Sequence, residues 1–157
     1  MIKAQFSEIK KWLIREEGLR RFPYDDSTGD IVKLKTGKLT VGVGRNLEAK
    51  PLSEAVIDQM LIEDISEAIA ACHKIYGQDI FERLNANQQL ALIAMAFQMG
   101  ALGLAGFHKA NDAVKAGEYA KAAEYFAQSK WAHQDSPARA DRTLKLFVTR
   151  ENETITT

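Results

Sequence analysis

The sequence predicts an α+β fold in which one helix leads into a small β-hairpin segment and a larger helical part follows. Three observations predict it. Apolar residues recur at helical spacing near the N-terminus, Gly and Pro punctuate short alternating stretches between Pro23 and Gly44, and helical periodicity returns after Pro51. Ile2, Phe6, Ile9 and Leu13 form one stripe between Lys and Glu residues, giving an amphipathic helix that Gly18 stops. The stretches IVKLK and KLTVGV alternate as strands do, and Thr36-Gly37 between them supplies a hairpin turn.

Ser53 then caps a helix whose stripe of Val56, Met60, Leu61, Ile65, Ala68, Ile69, Cys72 and Ile75 runs to Gly77. At about 1.5 Å per residue it is roughly 35 Å long, enough to bridge two lobes. From Asn85, a second cap, the run ALIAMAF is apolar all round and marks a central buried helix. Gly103 and Gly106 break the chain, 108–116 and 118–129 read as helices, and Ser136-Pro137 opens a last helix to about Thr149. The polar tail ENETITT is expected to fray. The whole of 1–157 is thus expected to form one domain. It has a small β-rich lobe at 16–60, a helical lobe from 1–15 and 76–157, and a connecting helix at 53–76.

Composition narrows the function. With 21 Lys+Arg against 21 Asp+Glu the chain carries no net charge, which argues against an overall basic nucleic-acid binder. The longest apolar run, Leu90 to Phe97, falls short of the roughly 20 residues that span a bilayer, so no membrane insertion is expected. The N-terminus lacks the apolar stretch of an export signal, so the protein is expected to accumulate in the cytoplasm. The single cysteine, Cys72, fits a reducing compartment. It adjoins His73, but neighbours on a helix point about 100° apart, so the two are not expected to share a proton.

No phosphate loop, dinucleotide fingerprint or metal-ligand cluster is present, so neither cofactor nor metal is expected. What remains is a pair of carboxylates at one cleft edge. Glu17 sits where the first helix ends, and Asp26 follows in FPYDDSTG. Glycosidic hydrolysis needs one carboxylic acid to protonate the leaving oxygen and one carboxylate to activate water or attack the sugar.

The motifs EEGLR, PYDD, LTVGVG, FQMG with AGF, and SKW with SPARADR, in that order, resemble the phage lysozymes of glycoside hydrolase family 24, above all those of T-even phages. The likeness runs from the first helix to about Arg142. It implies a lysozyme-like, two-lobed muramidase that cleaves between N-acetylmuramic acid and N-acetylglucosamine in peptidoglycan. It also implies an endolysin for host cell lysis, working as a monomer with a separate holin. Such an enzyme waits in the host cytoplasm until the membrane is permeabilised and then acts in the periplasm or cell wall.

Carried over by residue, Glu17 rather than Glu16 matches the general acid, and Asp26 rather than Asp25 matches the residue that activates water. Thr40 in LTVGVG matches the threonine that holds that water, and an inverting mechanism follows. Phe97, Gln98 and Gly100 match the far wall of the cleft, Trp131 an aromatic on its helical side, and Arg139 a partner for Glu17. By offset, Asn46, Ala110 and Tyr125 fall at substrate contacts. Glu16→Gln is expected to be nearly silent.

Three features depart from the T-even members. Arg45 stands in place of a histidine, the segment from Asp26 to Thr40 is longer, and the chain is neutral rather than basic. Two rival readings are a catalytically silent wall-binding domain and a lytic transglycosylase. The first predicts loss of Glu17, and the second makes Asp26 and Thr40 unnecessary; all three residues are present.

Overall fold

A computed structural model describes residues 2–149; the tail ENETITT lies outside them. Helix α1 spans Phe6–Glu17 and buries Ile9 and Leu13 from the expected stripe. Gly18 ends it at φ 76°, its N–H donating to the Ile14 carbonyl, a conformation that costs other residues strain. Ile2 precedes the helix. That leading segment is held by Gln89, whose fully buried side chain accepts from the backbone N–H groups of Lys3 at 2.7 Å and Ala4 at 3.1 Å. The Gln89 amide in turn donates to the Phe81 carbonyl at 2.9 Å, so every polar atom of a costly buried group is used.

The β segment differs from expectation. Its two strands are short, β1 at Thr40–Val41 and β2 at Arg45–Asn46, antiparallel with Thr40 opposite Asn46 and Val41 opposite Arg45. The hairpin therefore turns at 42–44, where Gly42 and Gly44 adopt φ 57° and 69°, and not at Thr36-Gly37. IVKLK makes no strand; Ile31 forms only an isolated bridge to Tyr24. The physical reason is Glu48. Its carboxylate accepts the backbone N–H groups of Leu34 at 3.0 Å and Leu39 at 3.1 Å, satisfying donors that strand pairing would otherwise have taken. Those two bonds, with the ammonium of Lys38, hold Glu48 below the ordinary carboxylate range.

Helix α2 spans Glu54–Tyr76, with the Ser53 hydroxyl accepting from the Val56 N–H and Gly77 at its end, as the sequence predicts. A short helix the periodicity did not reveal, α3 at Gln78–Arg83, buries Phe81. Helix α4 spans Ala86–Ala105 behind a capping box of Asn85 and Gln88, and packs against α1, α2 and the last helix. By length and composition alone α4 could cross a membrane, but more than half of it is buried inside the protein. The break expected at Gly103 lies instead at Gly100, whose φ of 74° kinks the helix. Gly103 stays helical for a packing reason, since a Cβ there would meet the Met99 side chain at 2.8 Å.

Helices α5 at His108–Lys115 and α6 at Tyr119–Ala127 pack on each other, then a π-turn at Trp131–Asp135 leads into α7 at Pro137–Val148. Ser136 holds the capping position of α7 but its side chain caps nothing; its hydroxyl accepts from the Gln98 amide at 2.9 Å. The core joins Ile9 and Leu13 of α1 to the apolar face of α4 and to the fully buried Phe81, Phe126 and Phe147.

Candidate active site

A cleft of about 660 Å³ opens where the C-terminal end of α1 meets α2. Glu17, Gly18, Leu19 and Arg20 line one side, Tyr24 and Leu52 another, and Asp58, Leu61 and Asp64 of α2 with Phe97 of α4 complete it. Two adjacent glutamates at the end of α1 have opposite fates. The Glu17 side chain is 39% exposed and faces the cleft, with one oxygen 2.9 Å from Arg139 Nη2. The Glu16 side chain is only 3% exposed, and Arg142 grips both its oxygens, Nε to Oε1 at 3.0 Å and Nη2 to Oε2 at 2.7 Å. Arg139 Nε lies 3.6 Å and Arg15 Nη2 3.5 Å from the same carboxylate.

The Arg142 hydrogen bonds, aided by the charges of Arg142, Arg139 and Arg15, outweigh burial and hold Glu16 below the ordinary carboxylate range. Glu16 is therefore an anion wherever the protein is folded near neutrality and has no proton to give. It is also no silent control, because it fastens α1 to α7. The native state binds this proton less readily than the unfolded chain, so the stabilisation is present above the unfolded value of 4.5 and fades as pH falls through the lower native one. We expect the melting temperature to fall between about pH 5 and pH 3 and Glu16→Gln to flatten that fall. Asp25 and Glu48, held low by their own hydrogen bonds, account for part of the slope that survives. Equal slopes in both proteins would remove Glu16 from the account.

Asp25 and Asp26 also divide. Asp25 closes its own turn: its carboxylate accepts from the Ser27 hydroxyl at 2.5 Å and the Ser27 N–H at 2.9 Å, while Gly29 N–H donates to its carbonyl. The Ser27 hydroxyl bond, then the backbone one, lowers its proton affinity. Asp26 is exposed on this turn, two residues beyond Tyr24, which does line the cleft. Thr40 is exposed on β1 and donates its hydroxyl proton to the Lys38 carbonyl at 3.0 Å. Arg45, in place of the histidine, reaches the Pro51 carbonyl at 2.5 Å and so closes the 45–51 segment onto itself.

Of the residues expected at substrate contacts, only Phe97 lines this cleft among those described. Asn46 uses its side-chain oxygen to accept from the N–H groups of Glu48 and Ala49, an Asx turn. Ala110 is 2% exposed and Trp131 6%, so both belong to the core and present almost no surface to a ligand. Tyr125 is half-buried against that core. Gln98 bridges inward, accepting from the Trp131 indole at 3.1 Å while donating to Ser136. Gly100 is the α4 kink, and Phe97 is the one residue of that motif on the 660 Å³ cleft wall. Cys72 is fully buried, and burial pushes its thiol far up, which leaves it unreactive. Sequence reasoning missed Glu48 and the Glu16–Arg142 pair, whose partners lie 126 residues apart.

The family model for phage lysozyme matches residues 14–153, a span holding Glu17, Asp26, Thr40 and Arg139. The chain is 26% identical over 162 residues to a protein of Dictyostelium discoideum named probable T4-type lysozyme 2, covering 91% of this chain and 95% of that one. It is also 26% identical over 167 residues to the pre-baseplate central spike protein Gp5 of Enterobacteria phage T4, covering 90% of this chain but 28% of the spike protein. With a family match over nearly its whole length, this chain belongs to the phage lysozyme family and is a glycoside hydrolase of the lysozyme type.

Proposed function

We propose that this enzyme is an endolysin that hydrolyses the β-1,4 bond between N-acetylmuramic acid and N-acetylglucosamine in peptidoglycan, with inversion at the anomeric carbon. Glu17 protonates the leaving oxygen, Asp26 activates water, and Thr40 holds that water. The observation that carries the reading is the split at the end of α1: Glu16 is locked as an anion by Arg142, while Glu17 opens into the cleft beside Arg139. Phe97 offers an aromatic face to sugar on the cleft wall. The proposed division into a 16–60 lobe and a helical lobe joined by 53–76 puts the cleft where the two meet.

As an endolysin the enzyme remains in the host cytoplasm, acts as a monomer, and needs a holin-like protein to reach the periplasm or wall. The match to a spike protein supports a second reading, in which the same muramidase is carried as part of a phage particle. Presence in purified particles would favour it.

Product chemistry tests the mechanism. Water attack from the face opposite the proton donor releases an α anomer first from the β-linked glycan. We expect NMR within the first turnovers to show that α product and mass spectrometry to show a hydrated reducing end. An initial β product would replace water activation by direct attack of Asp26, and an anhydro end would identify a lytic transglycosylase.

A further inference from the structure

The junction between α1 and α7 holds two carboxylates and three guanidinium groups, those of Arg15, Arg139 and Arg142, and the one of Arg139 is shared. Arg139 lies 2.9 Å from Glu17 and 3.6 Å from Glu16, while Arg142 is committed to Glu16 through two hydrogen bonds. A cation paired with one carboxylate alone favours the anion and opposes its service as a proton donor. A cation that must also answer a second, permanently ionised carboxylate opposes it less. Glu16 is that second carboxylate, and its side chain is buried where water screens it little.

We propose that Glu16 is a positioning residue: fixed by Arg142, it shares Arg139 with Glu17, so that Arg139 is held between the two carboxylates and orients the Glu17 carboxyl toward the cleft. The proposal rests on the reading of Glu17 as proton donor. Other charges stand around this arrangement, and Arg15 adds to the cations on Glu16. On α1 there is Arg15, 3.5 Å from Glu16, and on α7 Asp141, which pairs with Lys145. Beyond Gly18, Arg20 lies over the Tyr24 ring. From α2, Glu54, Asp58 and Asp64 line the cleft, Asp58 being paired with Lys10. The α4 contribution to the wall is the uncharged Phe97.

The test follows the pH profile of peptidoglycan hydrolysis together with the carboxyl resonance of Glu17 in protein labelled at glutamate side chains. In Glu16→Gln, Arg139 is left to Glu17 alone. The alkaline limb of activity and the Glu17 resonance should both move to lower pH than in the wild type. Arg142→Gln frees the Glu16 charge to draw Arg139 away, and should move both to higher pH; it also carries the test if Glu16→Gln fails to fold. Glu16→Asp keeps the charge and should return both toward the wild-type position even if the protein melts earlier. Loss of activity at every pH with an unmoved limb and an unmoved Glu17 resonance would reduce Glu16 to a structural tie and overturn the proposal. A resonance that moves while the limb does not would uphold the shared arginine and instead remove Glu17 as the donor.

Discussion

Glu17→Gln is expected to slow hydrolysis of peptidoglycan by about 10²–10⁴-fold, the range that a positioned general acid contributes. The amide keeps the shape of the side chain and its place beside Arg139 but has no proton acidic enough for the leaving glycosidic oxygen. Folding should be nearly untouched. The residue is 39% exposed, and an ion pair open to solvent is worth at most about 1 kcal/mol, which in a protein of this size moves the melting temperature by no more than about 4 °C. A turbidity assay on permeabilised cells, with Glu8→Gln on the same helix as control, measures the effect. A Glu17 variant that kept more than about a tenth of wild-type activity would sink the assignment.

Phe126→Ala is expected to destabilise the protein by about 3–5 kcal/mol. Phe126 is fully buried, with its ring edge-on to Phe107 at 5.3 Å and to Phe147 at 6.0 Å, so one side chain joins α6 to α7 and to the residue just before α5. Truncation removes the transfer free energy of the ring and leaves a cavity that two other rings cannot both fill. The melting temperature should drop by roughly 10 °C or more, and in urea the midpoint should fall without a change of slope. A loss below about 1 kcal/mol would mean that the aromatic cluster repacks freely, contrary to the close packing described.

How much of this was legible in the sequence depended on the range of the forces involved. The α2 and α4 helices were readable because their caps, Ser53 and Asn85, and their apolar patterns act within a few residues. The hairpin was misplaced for the converse reason. Thr36-Gly37 is a good local turn, but Glu48, nine residues after Leu39, takes the N–H groups that would have built a longer ladder. Gly103 looked like a breaker because a glycine does not announce whether it is needed for its backbone or for the space beside it; Met99 decides.

At the candidate site the sequence marks the end of α1, where the structure places Glu17 on a cleft wall; positions farther from a motif are harder to place. A motif or an offset from one gives position along a helix but not which face is buried, which is why Trp131 of SKW and Ala110, placed by offset, read as substrate contacts while both lie in the core. From sequence Glu16 reads as a near-silent neighbour of Glu17, because its partner stands 126 residues away, beyond the reach of any local pattern.

The anchors of α1 also have a bearing on synthesis. The helix that presents Glu17 is tied down by Gln89, which holds the segment before it, and by Arg139 and Arg142, which hold its end. These partners are translated long after it. A nascent chain halted before α7 has made the carboxyl group of Glu17 but not the guanidinium groups that aim it. Ribosomal fragments should therefore be inert, and the capacity to cut arrives only when the last helix leaves the exit tunnel.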